Sequence, residues 1–196
     1  MKVVKGVYDK RLQMGIYEEL SRRNRVIGLM WLVGCSTGYR VSDLLSIRVS
    51  DGLEGSLRIV EGKTGKIRCV RMDKGVYEAV RGQIRDMGLR SEDYLFGSSR
   101  ERGKPISRQH AHRMIKAVGD ELGCEGLGTH SMRKTYAYNA LLETRNLGYV
   151  RRVMNHEYLS TTLFYVMDGL MVSLPKAGRM GVPVSETEDQ DQEHGR

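Results

Sequence analysis

Apolar residues recur at helical spacing over residues 9 to 22 and again over 24 to 35, with Asn24 placed to cap the second run. Gly38 breaks the pattern. A short helix then fits Arg40 to Arg48, with Val41, Leu44 and Leu45 on its buried side. Residues 56 to 61 (S-L-R-I-V-E) and 66 to 72 (K-I-R-C-V-R-M) read as strands, and the G-K-T-G between them as a hairpin turn. Helical patterns return at 74 to 88, 107 to 122, 130 to 143, 146 to 154 and 160 to 168, and no internal repeat is present. The expected fold class is mainly α with one small antiparallel β-sheet, an α+β domain.

The length of 196 residues suits one domain with a tail, and the 40% apolar content suffices for a core. We place the domain at residues 1 to 184. The remainder, 185 to 196 (S-E-T-E-D-Q-D-Q-E-H-G-R), is acidic and expected to be disordered. Without it, 31 Lys and Arg stand against 19 Asp and Glu. So basic a body points to a polyanionic partner, nucleic acid before an anionic membrane surface, although a solvated basic face reads the same way. Cys35, Cys69 and Cys124 show no metal-ligand spacing, which favours reduced thiols in a cytosol. The first ten residues lack the apolar stretch of a signal peptide. The apolar run from Val26 to Val33 is too short to span a bilayer and reads as a core helix. The expected location is therefore cytoplasmic, with the nucleoid, and no membrane partner.

Four clusters can carry chemistry. In T-H-S-M-R-K-T, Thr129 is a plausible N-cap, and His130 and Arg133 lie three apart on the first turn that follows. Cations there oppose the helix dipole but suit a bound phosphate. In T-G-Y-R-V-S-D-L-L, Asp43 is placed to fix the Arg40 fork while another edge of the guanidinium grips an anion. Lys63 stands at the hairpin tip, where a flexible ammonium can reach a groove and give a proton, with Lys66 in reserve. In N-H-E-Y-L-S-T-T-L-F-Y, Ser160 and Thr161 can cap a short helix that carries Tyr165. Taken singly, each cluster also reads as an ordinary surface pair, a turn lysine or a core tyrosine.

In their joint order, Arg, Lys, His-x-x-Arg, His and Tyr, these clusters resemble the catalytic domain of the tyrosine recombinases, the phage integrase family. The resemblance runs from about residue 10 to 168. T-G-Y-R-V-S-D-L-L-S-I-R-V-S-D resembles the first arginine box, K-T-G-K-I-R the lysine hairpin and T-H-S-M-R-K-T-Y-A-Y the second box, preceded by D-Y-L-F at 93 to 96. The third box has Tyr165 nine residues after His156, as the family has. Asn155 stands where many members have glycine, and Arg71 where proline is common. The N-terminal clamping domain of larger integrases has no counterpart in the match, which is similar to the fimbrial-switch recombinases and small mobile-element integrases.

The resemblance implies Arg40, Lys63, His130, Arg133 and His156 around a scissile phosphate, Tyr165 as nucleophile and Asp43 in support of Arg40. It implies a site-specific recombinase that cuts and rejoins DNA through a 3′-phosphotyrosyl intermediate, in integration, excision or inversion. No metal, ATP or other cofactor is expected. The expected partners are double-stranded DNA, a homotetramer on two paired sites, and an accessory DNA-bending or directionality protein. Residues 169 to 184 are expected to link protomers. The alternatives are DNA cleavage and rejoining of the type IB topoisomerase or telomere-resolvase kind, and a DNA-binding regulator without catalysis.

Overall fold

A computed structural model describes residues 4 to 52 and 55 to 173. Helix α1 (Lys10–Arg23) begins where Asp9 accepts the Arg11 and Leu12 N–H groups, and it buries Ile16 and Leu20 one turn apart. Asn24 caps α2 (Arg25–Thr37), as its sequence position predicts. Apolar residues lie nearly all round α2, which accordingly runs through the centre of the main core with Ile27, Met30, Trp31 and Val33 buried. Gly38 ends it in the left-handed region at φ 64°. A Cβ at Gly38 would lie 2.3 Å from the Tyr136 ring, so this turn requires glycine twice over.

The chain then enters α3 (Val41–Ser46), a 3₁₀ turn (Val49–Gly52), and the antiparallel strands β1 (Ser56–Val60) and β2 (Ile67–Arg71). Their register pairs Leu57 with Val70, Ile59 with Arg68 and Val60 with Ile67. The buried Tyr39 hydroxyl reaches the carbonyls of Leu57 at 2.7 Å and Arg68 at 3.0 Å, which fixes the hairpin against the end of α2. Capped by Asp73 and Ser107, α4 (Lys74–Met87) and α5 (Arg108–Glu121) cover the same core with Val76, Val80, Ala111, Ile115 and Val118. Between them Leu95 and Phe96 plug it, and the Leu95 N–H bonds the Ile47 carbonyl at 2.9 Å.

Helices α6 (Thr129–Thr144), α7 (Leu147–Val153) and α8 (Leu159–Ser173) enclose a second cluster of Ala137, Ala140, Val150, Met154 and Val166. Two cap assignments are corrected. The N-cap of α6 is Gly128, with Thr129 buried inside the first turn: the Gly128 carbonyl accepts the Ser131 N–H at 2.9 Å, and Ser131 Oγ accepts the Gly128 N–H at 3.0 Å. Helix α8 starts at Leu159, so Ser160 and Thr161 lie within it. It also runs past 168 to Ser173, through the start of the segment expected to link protomers. The rest of that segment, 174 to 184, and the acidic residues 185 to 196 lie outside the described residues. No described helix is long and apolar enough to cross a membrane. The three cysteines are free thiols.

Candidate active site

The site lies where the two clusters meet. Arg40 occupies the extended residue before α3. Its Nη1 is 3.0 Å from Glu61 Oε2 and 3.8 Å from Asp43 Oδ2. Glu61 is therefore the closer carboxylate, a role the sequence assigned to Asp43. The buried Asp43 accepts the Gly62 N–H at 3.1 Å and so also fastens α3 to the hairpin turn.

Arg133 is 2% exposed on α6. Its Nη1 donates to the Gly38 carbonyl at 2.6 Å and its Nη2 to the Met154 carbonyl at 2.5 Å, which joins the ends of α2 and α7. Burial first, then the Arg40 and Arg68 charges, lowers its pKa to about 10, so it stays charged at neutral pH.

His156 follows Asn155, whose φ of 56° turns the chain out of α7. The His156 Nε2 faces Arg133 Nη2 at 3.4 Å and its Nδ1 faces Thr162 Oγ1 at 3.0 Å. A guanidinium only donates, so Nε2 is the acceptor and the proton sits on Nδ1, toward Thr162. The ring is then neutral. Burial and the Arg133 and Arg40 charges lower its pKa to about 4. Tyr165, half-buried on α8, packs on this ring with centroids 5.1 Å apart and planes tilted by 60°. Tyr158, the other tyrosine in the same stretch, is 61% exposed.

His130 opens onto solvent on the first turn of α6. Surrounding protein, then Arg108, Arg133 and His112, still push its pKa below the ordinary value. Lys63 is not drawn into the cluster. It is exposed on the turn, and its ammonium has no partner among the described residues. The turn itself is tied on both sides of Lys63, by Gly62 to Asp43 and by Thr64 to Glu61 at 2.9 Å. Anchored backbone and a free long side chain suit a group that must reach a ligand. Lys66 is exposed on the same turn.

Four residues here were given no role in the sequence reading: Glu61, Asn155, Arg68 and Thr162. Glu61 carried a usable signal. Leu57 and Ile59 face inward in β1, and period two puts the fully buried Glu61 on the same face. A charge at an inward strand position needs partners, here Arg40 and, across the turn, Arg68 Nη1 at 4.0 Å. Arg68 lies under the site, with its guanidinium 4.6 Å from the Tyr39 ring centroid. The arrangement gathers two arginines, one held by carboxylates and one by carbonyls, beside a neutral histidine and a tyrosine. Such a set can neutralise a bound phosphate and take a proton from the phenol.

The family model described as "Phage integrase family" matches residues 10–168. The chain belongs to this family. The probable integrase/recombinase YoeC of Bacillus subtilis (strain 168) is 29% identical over 167 residues, which cover 85% of this phage integrase family chain and 91% of that protein. Tyrosine recombinase XerA of Thermococcus kodakarensis is 29% identical over 158 residues, 80% of this chain and 54% of that one, so this chain spans about half its length. A crystal structure of XerA recombinase superposes with a TM-score of 0.70 at 21% identity, over 90% of this chain and 68% of that chain. A lambda integrase dimer bound to a COC′ core site gives 0.70 at 18% identity, over 91% and 52%. The fold is that of the tyrosine recombinase catalytic domain.

Proposed function

We propose that this protein is a site-specific recombinase that cuts and rejoins double-stranded DNA through a transient 3′-phosphotyrosyl bond to Tyr165. The observation that carries the reading is the chain of contacts from Arg133 to His156 to Tyr165, 3.4 Å and then 5.1 Å between ring centroids. Family membership supports the reaction class.

In this scheme Arg40 and Arg133 neutralise the non-bridging oxygens of the scissile phosphate, with His130 as a further donor. A phenol with an ordinary pKa of about 10 is a poor nucleophile at neutral pH, so its proton must go to a neighbour. The neutral His156 takes it at Nε2 as Arg133 turns from that nitrogen to the incoming phosphate, whose negative charge raises the histidine pKa. The Tyr165 oxygen bonds to phosphorus as the bond to the 5′ oxygen breaks, and Lys63 protonates that leaving oxygen. The phosphotyrosyl bond conserves the energy of the phosphodiester, so no ATP or metal enters the scheme. A 5′-hydroxyl from a partner strand attacks it, frees Tyr165 and completes the exchange.

Exchange requires two DNA sites and four protomers, and the expected accessory protein would bend or direct the DNA. The action is on DNA in the cytoplasm, at the nucleoid. Mapping the DNA junctions beside the gene, before and after expression, tests the recombinase reading. New junctions that are absent with Tyr165→Phe support it. Unchanged junctions with relaxed supercoils would favour a topoisomerase-like activity instead.

A further inference from the structure

We infer that Glu61 is a positioning residue for DNA cleavage, and that it acts through Arg40. The inference rests on the reaction proposed above.

Glu61 is fully buried at the point where three parts of the site converge. One of its oxygens, Oε2, serves all three. It pairs with Arg40 Nη1 at 3.0 Å, accepts from Asn155 Nδ2 at 3.0 Å and accepts from Thr64 Oγ1 at 2.9 Å. Arg40 leads into α3, Thr64 belongs to the turn that carries Lys63, and Asn155 precedes His156. A single carboxylate oxygen thus sets the distance between the first arginine, the lysine turn and the histidine loop. Asp43 approaches Arg40 only to 3.8 Å.

The ion pair with Glu61 engages Nη1 of Arg40. No partner holds Nη2 or Nε of Arg40 among the described residues, so one edge of the fork is fixed and another is left for an anion. Burial alone would raise the Glu61 pKa, but the Asn155 and Thr64 bonds and the Arg40 charge outweigh it and hold the carboxyl below its ordinary value. The group is therefore ionised at neutral pH and can pull on Arg40.

A purely structural ion pair would be expected to satisfy its own atoms. This one does not. Glu61 Oε1 and Arg68 Nη1 are buried without a hydrogen bond and stand 4.0 Å apart, and Arg40 Nη1 itself meets Glu61 as an ion pair without a well-aligned hydrogen bond. Buried groups left unbonded are disfavoured, and they persist where an arrangement serves something other than stability. The carboxylate is committed to Oε2 and its three partners.

The test is single-turnover formation of the covalent complex on a nicked suicide substrate at saturating DNA, with DNA affinity measured separately. Glu61→Gln keeps the shape and loses the charge. It should slow cleavage by about tenfold to a hundredfold, as a misplaced phosphate ligand does, while affinity changes less than about threefold. Glu61→Asp should recover part of the loss. In an Arg40→Ala background Glu61→Gln should add little, because the two act as a unit. Thr64→Val, a milder change on the exposed turn, should cost about threefold in the same step and likewise vanish in that background. It carries the test if Glu61→Gln melts without cooperativity. Equal losses with and without Arg40 would overturn the inference, as would wild-type cleavage by a folded Glu61→Gln or by Thr64→Val. If the wild-type protein forms no covalent complex, the underlying reaction fails instead. If it does and the Glu61 variants match it, only the role of Glu61 fails.

Discussion

The His156 ring packs on the Tyr165 ring, centroids 5.1 Å apart, while its Nε2 accepts from Arg133. This fixes a neutral histidine between a buried cation and the candidate nucleophile. A neutral ring can receive the phenol proton, whereas an imidazolium cannot.

The same relationship makes stability depend on pH. The His156 pKa falls from an ordinary 6.5 to about 4 in the folded protein, and that of His130 is also lowered. Between those two His156 values the unfolded chain binds the extra proton, so stability is full above about 6.5 and is lost as pH falls toward about 4. Glu61, with a lowered pKa, adds its own loss only at lower pH still. Thermal melts between pH 7.5 and about 5 should therefore show a falling Tm. His156→Gln should flatten that fall. An unchanged slope would mean that the ring is not held neutral.

Gly38 links the fold to the site. Its left-handed φ of 64° and its carbonyl bond to Arg133 leave no room for a side chain beside Tyr136. Gly38→Ala should destabilise the protein by about 2–4 kcal/mol, from backbone strain plus overpacking. Urea unfolding monitored by Trp31 fluorescence measures this. A loss within about 0.5 kcal/mol, the usual range for a surface change, would show that the turn relaxes freely.

DNA affinity should be salt-sensitive, because the chain outside its acidic last dozen residues holds 31 basic against 19 acidic residues. A site that neutralises about four phosphates loses about a hundredfold in affinity over a fourfold rise in salt. Titrations on a labelled duplex from low to moderate salt check this, and a flat response would place the basic residues away from the DNA.

Lys63 is tested by the chemistry of its leaving group. A sulfur in place of the bridging 5′ oxygen leaves as a thiolate and needs no proton. Lys63→Ala should cleave ordinary DNA on the order of a hundredfold more slowly, yet cleave the sulfur-bridged substrate nearly as fast as the wild type. Lys66→Ala should show neither effect. Slow cleavage of both substrates by Lys63→Ala would reduce that residue to a DNA contact.

Most of the fold was legible because its signals are local. Asn24 stands at the boundary between two apolar periodicities, and it caps α2 as expected. The hairpin was visible in its turn residues, and its strands fall within a residue of the expected limits. The misread starts of α6 and α8 show where locality ends. Thr129 has the right chemistry for a cap, but the helix begins one residue earlier, where the Gly128 carbonyl accepts the Ser131 N–H. In the site, Arg40, Arg133, His156 and Tyr165 lay in recognisable boxes, whereas Glu61 did not, and Asn155 stood out only as a departure from the family's glycine. Their bond joins residues 94 positions apart, and neither end advertises the other. Arg68 was hidden for a related reason. In K-I-R-C-V-R-M it looks like one basic residue among several, and only the pairing of β2 with β1 turns it inward.

The most direct test of the central claim is a nicked suicide substrate, in which the cleaved strand loses a short fragment and cannot be resealed. The intact protein should form a covalent protein–DNA complex and Tyr165→Phe none, with a nucleotide adduct on the peptide containing Tyr165 by mass spectrometry. An adduct on the exposed Tyr158, or a complex that survives Tyr165→Phe, would contradict that claim.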